Sequence, residues 1–529
     1  MHKNFNRMAI EIEGTFLAGA FDASPVYAMS LRHRTHTGAP FGFVGYEYLR
    51  GIARDTSDEI VIQKGSQCGA SELFIVFSIS GAILPRIVMY VLPTFELKNM
   101  FVKTRVNPCI GFNPLYQQLV ADADEKNESL SIKSFGKGMI IYVGTGTSVS
   151  FISHRVDWLI IDDVDRCDQD NLKLAPSRLS ASEHKRVIQA GNPTVQNYGI
   201  SGLYADSDRR LWHIRCQHCG KWVAPDFFRN VVRQEGAGLY VVVDPDYEEG
   251  ADRVRMLCGC GQPLQGVGEW VAERPRVKRA GYQISKLFST KDTIYDLLTR
   301  FNAAQENDTA MQVFYNMDLG LPYTASGAKL TPAVLDECIG DYLCTGGSGE
   351  HTVAGVDVGK VLNIFICQPL ERLRVVYAGT VENPADVIAL FKSFQVRCGV
   401  IDSMPETRMA RQIAQSYRGV YLARFGVFQQ TLQVQYPTKG KTHSGRMETI
   451  VSVDRTAILD ETKEMFTLQR FELPKNARSI PGLYDQLCAS TRIFDDRTKT
   501  FRWVETGPDH YFFAAALAIV ARKMLVAHS

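Results

Sequence analysis

The sequence predicts an α/β protein of two consecutive domains, the first organised around a parallel sheet. Three observations carry this expectation. At 529 residues the chain exceeds the roughly 250–300 residues at which one hydrophobic core stops growing. Short apolar runs recur through the first two hundred positions, each stopped by Gly, Asp or Pro. A Gly/Ser-rich break, CTGGSGEHT at 344–352, precedes a second strand-rich start, VAGVDVG. The expected division is an N-terminal extension at 1–40, a first domain at 41–343, a linker at 344–352 and a second domain at 353–529.

Composition bounds the class. With 45% hydrophobic residues, 22% charged residues and a net charge of +2, the chain reads as globular, which excludes disordered and fibrous types. No run reaches the roughly 18 uncharged apolar residues of a membrane span. The longest candidate, LFIVFSISGAILPRIVMYVL, is interrupted by Gly81, Pro85 and Arg86. The opening MHKNFNRMAIEIEG lacks the apolar core of a secretory signal, so a cytoplasmic setting is expected. Twelve cysteines then read as reduced thiols, with any clustered set directed to metal. The near-neutral charge leaves nucleic acid open, because a basic face can be offset elsewhere.

The elements follow in order. EIVIQ and RIVMYVLP, with a loop and helix between them, predict a βαβ unit at 59–93. MIIYVG (139–144), WLIIDD (158–163) and RVIQAGNP (186–193) continue the strand pattern. Around 210 the texture turns to short β-type runs and turns, predicting a small insertion at about 210–265. Helical periodicity returns in TIYDLLTRFNAAQEN and TAMQVFYNMDLG.

The loop in VIQKGSQCGASELFI carries the first chemistry. In a phosphate-binding loop, glycines let backbone amides approach the phosphates, a late lysine reaches the outer phosphates and the next hydroxyl binds Mg²⁺. Gly65, Gly69 and Ser71 suit those roles, but Ala70 occupies the lysine position. Lys64, at the front of the loop, has a stem long enough to fold back as a point charge. An apolar strand ending in acids completes such a site, and WLIIDDVDRCD supplies Asp162 to orient Mg²⁺ and Asp163 to activate water. A plain turn and a strand edge capped by solvated carboxylates are the structural alternatives. The order of loop, acidic strand and polar strand end GNPT favours an ATPase.

Cys216-x₂-Cys219 and Cys258-x-Cys260 offer four thiolates, enough for a closed structural Zn²⁺ site that staples a segment with little core of its own. His218 stands beside the first pair as a substitute ligand, and four reduced cysteines are the alternative. In the second half, TVAGVDVGK ends a strand at Asp357, RCGVIDSMPE ends another at Asp402, and GPDHYFFAAALAIVARKM starts a helix at Asp509. Acids so placed can converge on two divalent metals about 4 Å apart, although each alone also suits a strand end or N-cap. Glu406 is a candidate extra ligand, and the polar loop YPTKGKTHSGRM (436–447) is a candidate phosphate contact.

These motifs resemble the large subunit of tailed-phage DNA-packaging terminases, in the lambda-like branch. PFGFVGYEYLRGI resembles the aromatic segment before its phosphate loop, and KGSQCGASEL its deviant loop with the lysine in front. LIIDDVDRC resembles its acidic strand, GNPT its Gly-Thr-Pro-Thr, LYADSDRRLWHIRCQHCGKW its entry to the zinc cluster, and FYNMDLGLPY the end of its ATPase half. Together they run in order through most of residues 40 to 325. Departures are Asp163 where Glu is usual, Gln67 where some members carry Arg, and Phe513 in place of the last acid of D-H-x-x-D.

The resemblance implies a P-loop ATPase with a zinc-binding insertion followed by an RNase H-like nuclease. It implies ATP, Mg²⁺ or Mn²⁺ and structural Zn²⁺ as cofactors. The implied function is ATP-driven translocation of double-stranded viral DNA into a procapsid, with endonucleolytic cutting of concatemers. Implied partners are DNA, the portal protein, a small terminase subunit and further copies in a ring, in the host cytoplasm and away from membrane. Two other readings remain at this level: a repair or restriction-type helicase–nuclease, for which no helicase motif follows GNPT, and a catalytically dead zinc-containing DNA-binding scaffold.

Overall fold

The computed structural model describes residues 24–123, 129–152, 154–236, 238–248, 252–289, 291–344, 351–426, 428, 432–435, 449–495 and 500–527. The loop at 436–447, most of the stretch read as a linker and residues 1–23 of the N-terminal extension lie outside these. The chain forms two compact units that part between Ala325 and Ser326, ahead of the Gly/Ser-rich stretch.

The first unit holds a ten-stranded sheet. Its strands are β1 (Glu59–Lys64), β2 (Ile87–Leu92), β3 (Ile132–Phe135), β4 (Gly138–Gly144), β5 (Trp158–Ile161), β6 (Arg186–Gly191), β7 (Arg210–Arg215) and β8 (Trp222–Val223). A separate hairpin, β9 (Val232–Gly236) with β10 (Leu239–Val242), precedes β11 (Gly268–Ala272) and β12 (Ala280–Ile284), which return to the main sheet. The order is β11-β7-β12-β1-β6-β5-β2-β4-β3, with β8 alongside β7. β1 lies parallel between β6 and β12, and β2 parallel between β4 and β5. Strands buried on both faces read as continuous apolar runs, which is why their sequences show no alternation. The helix after β1, Ala70–Ile83, is apolar on all sides and buried along nearly its whole length, as a helix packed within a core must be.

The segment at 210–265 lacks a core of its own: β7 and β8 belong to the main sheet, and Cys216, Phe227, Val231, Met256 and Leu264 join the same hydrophobic core as β1. Its apolar residues are few and scattered among turns, so periodicity conceals that they reach the same interior. Residues 24–40 also contribute, through buried Val26, Met29 and His33.

The second unit is an eight-stranded sheet. β13 (Thr352–Val358), β14 (Leu362–Pro369) and β15 (Leu373–Val381) form an antiparallel meander. β16 (Val396–Asp402) and β17 (Val420–Gly426) continue parallel from β13. β18 (Leu432–Gln435), β19 (Ile450–Asp454) and β20 (Phe471–Glu472) complete the order β18-β19-β17-β16-β13-β14-β15-β20. Leu330, Leu335 and Cys338 join this unit's core, so residues from 326 onward pack with it. The alanine-rich helix His510–Ala527 lies on β13, where a Cβ on Gly355 would stand 1.9 Å from the Ala514 carbonyl oxygen. Among the described residues, no helix is long and apolar enough to cross a membrane.

Candidate functional site

The loop at 65–69 leaves β1 and enters the buried helix through Gly69, whose φ of +79° suits glycine. Its back is braced by the end of the motif FYNMDLG: the Ser66 amide donates to the Met317 carbonyl at 2.7 Å, and the Ser66 hydroxyl donates to the same oxygen at 3.0 Å. Lys64 ends β1 and is only 6% exposed. Its Nζ lies 3.8 Å from Asp163 Oδ1 and 3.5 Å from Asn192 Oδ1, while the Asn192 amide donates to the Lys64 carbonyl at 2.9 Å. Burial works against the ammonium and is the largest single influence, but the charges of Asp163, Cys68 and Asp162 together hold its pKa above the ordinary value.

Asp162 is buried at the end of β5, where it accepts hydrogen bonds from Ser71 and from the Tyr90 hydroxyl, the latter at 3.1 Å. Burial and the charge of Asp163 push its carboxyl up. Asp163 has left-handed backbone angles, φ 57° and ψ 52°, and a side chain 34% exposed. Strain of this kind on a non-glycine residue collects at functional sites. An open cavity of about 620 Å³ lies before the loop, lined by Lys64, Gln67, Ser71, Phe41, Tyr46 and Lys291. The structure thus gathers Lys64, Ser71, Asp162 and Asp163, with Gly65 and Gly69 in the loop.

Asn192, Asp165 and Tyr90 are additions that sequence reasoning did not single out. Asp165 accepts from the Thr194 amide at 2.9 Å, from the Thr194 hydroxyl and from the Ile200 amide at 2.7 Å, fixing the GNPT turn that carries Asn192. The signal in the sequence was the polar strand end GNPT.

The four cysteines of the pairs converge. Sγ of Cys216 lies 3.8 Å from that of Cys260, and Cys219 3.8 Å from Cys258, with all four sulfurs within 4.8 Å of one another. Four thiolates at about 2.3 Å from a tetrahedral Zn²⁺ stand about 3.8 Å apart, so the set fits that ion. The backbone amides of Cys219 and His218 aim at the Cys216 sulfur and lower its thiol to about 6, favouring the thiolate a metal needs.

In the second unit, β13 and β16 run parallel with Val356 opposite Ile401, which sets Asp357 and Asp402 at neighbouring strand ends. His510, at the start of the last helix, places Nδ1 2.8 Å from Asp357 Oδ2, and that carboxylate raises the imidazole pKa. Burial pushes the Asp402 carboxyl up to about 7, and burial raises Asp509 to about 6 against a hydrogen bond from Ser490. The charge of Asp357 adds to both shifts, so the three acids share one electrostatic site. Among the described residues, the three carboxylates do not close to within 4.8 Å of one another as the four cysteines do.

Glu406 is exposed at the start of the helix Thr407–Ser416, and nothing in the structure draws it to the trio. Arg455, missed in the sequence, lies over the Phe513 ring at 5.1 Å, and its charge opposes the upward shifts of Asp402 and Asp509. A cation on an aromatic face thus stands beside the position of the missing acid.

Fold and sites define a P-loop-type ATPase joined to a nuclease whose sheet has RNase H-like order, an antiparallel meander extended by parallel strands. Two family models match the chain: the ATPase domain of phage terminase large subunit gpA over residues 45–268, and the endonuclease domain of the same subunit over 279–362. Together they span more than half of the sequence, and the chain belongs to the phage terminase large subunit family. It is an ATPase and a DNA endonuclease of the viral DNA-packaging class, using a nucleotide and a divalent metal. The first residues of the endonuclease match form β12, within the sheet of the first unit.

No curated protein matches the chain. Among solved structures, the large terminase of a thermophilic bacteriophage is 10% identical, covering 89% of this chain and 94% of its own, at a TM-score of 0.30. The large terminase ATPase domain of Thermus phage P74-26 is 11% identical, covering 51% of this chain and 91% of its own, at 0.30. The large terminase nuclease of thermophilic phage G20c is 13% identical, covering 36% of this chain and 96% of its own, at 0.24. These TM-scores lie below 0.5, so the family assignment rests on the family models.

Proposed function

We propose that Lys64, Ser71, Asp162 and Asp163 run the motor chemistry, and that Asp357, Asp402 and Asp509 run the cutting, in a chain that drives double-stranded viral DNA into a procapsid and cleaves concatemers. The buried Lys64 ammonium, held between Asp163 and Asn192 behind the loop, carries this reading. It takes the role a lysine at residue 70 would otherwise fill, binding the outer phosphates of ATP as a fixed charge. The amides around Gly65 and Gly69 cradle the phosphates. Ser71 and Asp162 would hold Mg²⁺, which when bound neutralises charge on the phosphate oxygens. Asp163, half-buried at the strand end, orients the attacking water and accepts its proton.

Asp357, Asp402 and Asp509 would hold Mg²⁺ or Mn²⁺, which when bound supplies an activated water and stabilises the leaving oxygen. His510 orients the Asp357 carboxylate through its Nδ1 contact. A structural Zn²⁺ belongs to Cys216, Cys219, Cys258 and Cys260. The partners are DNA, the portal of the procapsid, a small terminase subunit and further copies of the chain in a ring, in the host cytoplasm.

A packaging assay with purified procapsids and linear DNA tests this. Wild type should bring DNA into a nuclease-protected state only with ATP, and Lys64→Ala should protect none while still cutting DNA. Protection by Lys64→Ala at the wild-type level would overturn the proposal.

A further inference from the structure

A second group of metal-ligating side chains lies on the outer side of the phosphate-loop helix. His33 Nε2, Glu72 Oε1 and Cys109 Sγ lie within 4.8 Å of one another, and all three residues are buried. Their separations are 3.0 Å for His33 to Glu72, 3.4 Å for Cys109 to Glu72 and 3.9 Å for Cys109 to His33. Ligands at the usual zinc distances of about 2.0–2.3 Å, in tetrahedral arrangement, stand about 3.3–3.7 Å apart, a range these three values bracket.

Other contacts supply what a metal site needs. The Tyr116 hydroxyl lies 3.1 Å from His33 Nδ1, which leaves Nε2 facing the cluster, as an orienting partner does for a ligand histidine. The other Glu72 oxygen is steadied by Arg105 at 3.8 Å. His36 Nδ1 lies 3.5 Å from that same oxygen, outside the group of three. One thiolate and one carboxylate balance a divalent charge, with neutral imidazole completing the shell.

We propose that His33, Glu72 and Cys109 bind one zinc-class ion, separate from the four-cysteine site. The ion ties together the segment after the helix Pro25–Ser30, the first turn of the phosphate-loop helix and the helix Asn107–Phe112. Glu72 follows Ser71 directly, and His36 and Phe41 line the same cavity as Lys64, so this clamp fixes the outer wall of the nucleotide cavity.

The test is metal counting on the full chain, purified without chelator, by native mass spectrometry and elemental analysis. The chain carrying Cys216→Ser and Cys219→Ser should keep one equivalent of zinc, and adding Cys109→Ala should remove it. With Co²⁺ loaded into the first of these, the spectrum should show a single thiolate ligand rather than four. An ion-free Cys216→Ser, Cys219→Ser chain that is folded by circular dichroism overturns the proposal and leaves a hydrogen-bonded triad. Should those variants fail to fold, the unmodified chain decides: two zinc ions per chain support the site, and one ion, lost with retention of Cys109 and His33 contacts on four-cysteine alkylation, overturns it.

Discussion

Replacing Gly355 with alanine should silence DNA cutting while leaving the second unit folded. The added Cβ would stand 1.9 Å from the Ala514 carbonyl oxygen and 2.4 Å from the Ala518 amide, both backbone atoms of the last helix. Backbone cannot rotate aside as a side chain can, so the helix must retreat by about 1.5 Å to regain van der Waals contact. That helix begins at His510, directly after Asp509, and Asp357 lies two residues along the strand from Gly355 on the same face. The retreat therefore carries Asp509 and His510 away from Asp357. Displacement of a reacting group by about 1 Å costs on the order of a hundredfold in rate. Overpacking of this kind costs roughly 1–3 kcal/mol, below the roughly 5–15 kcal/mol that holds a domain together. A plasmid-nicking assay with Mg²⁺ reads the rate, thermal unfolding reads the stability, and ATP hydrolysis by the first unit serves as the unaffected control. Wild-type nicking by Gly355→Ala would refute the argument that close helix-to-strand packing positions the acids.

Lys64→Ala should abolish ATP hydrolysis and leave nicking intact; steady turnover at the wild-type rate would refute the displaced-lysine reading. Asn at Asp357, Asp402 or Asp509 should each cost orders of magnitude in cleavage, with any two together costing little more, because groups acting as a unit are not additive. If Asp509→Asn cuts normally while the other two are dead, the third ligand is misassigned, and Ca²⁺ should support none of the three-acid chemistry that Mg²⁺ does. Burial holds Asp165 at about 6, above its unfolded value of 3.8, so its protonated form stabilises the first unit. That contribution is complete below about pH 4 and disappears as pH rises through about 6. The stability difference between wild type and Asp165→Asn should therefore move by roughly 2 kcal/mol between pH 4 and pH 7, and a constant difference would show that Asp165 does not titrate there. Stripping zinc from the four cysteines should speed hydrogen exchange in β7, β8 and β11, which share the main sheet; unchanged exchange would return the cysteines to plain thiols.

Much of the fold and of both candidate sites was legible in the sequence, because their signals are local. Runs such as EIVIQ and WLIIDD carry strand periodicity in consecutive residues, and the glycines, Lys64, Ser71, Asp162 and Asp163 sit at the ends of those runs. The same holds for Asp357, Asp402 and Asp509, which mark two strand ends and one helix start, and for the paired cysteines. Each residue's place at an element end needs only one contiguous stretch, and the order of the stretches along the chain supplied the rest. Contacts between distant stretches leave no such trace. Asn192 meets Lys64 across 128 residues, and His33, Glu72 and Cys109 meet across 39, 37 and 76, at separations that no periodicity encodes. The turn-rich 210–265 segment reads as lacking a core of its own because its few apolar residues are scattered, and in the structure they enter the core around β1. Local spacing thus determined which residues stand at element ends. The tertiary structure alone decided which ends face one another, because that depends on how buried surfaces far apart in the chain fit together.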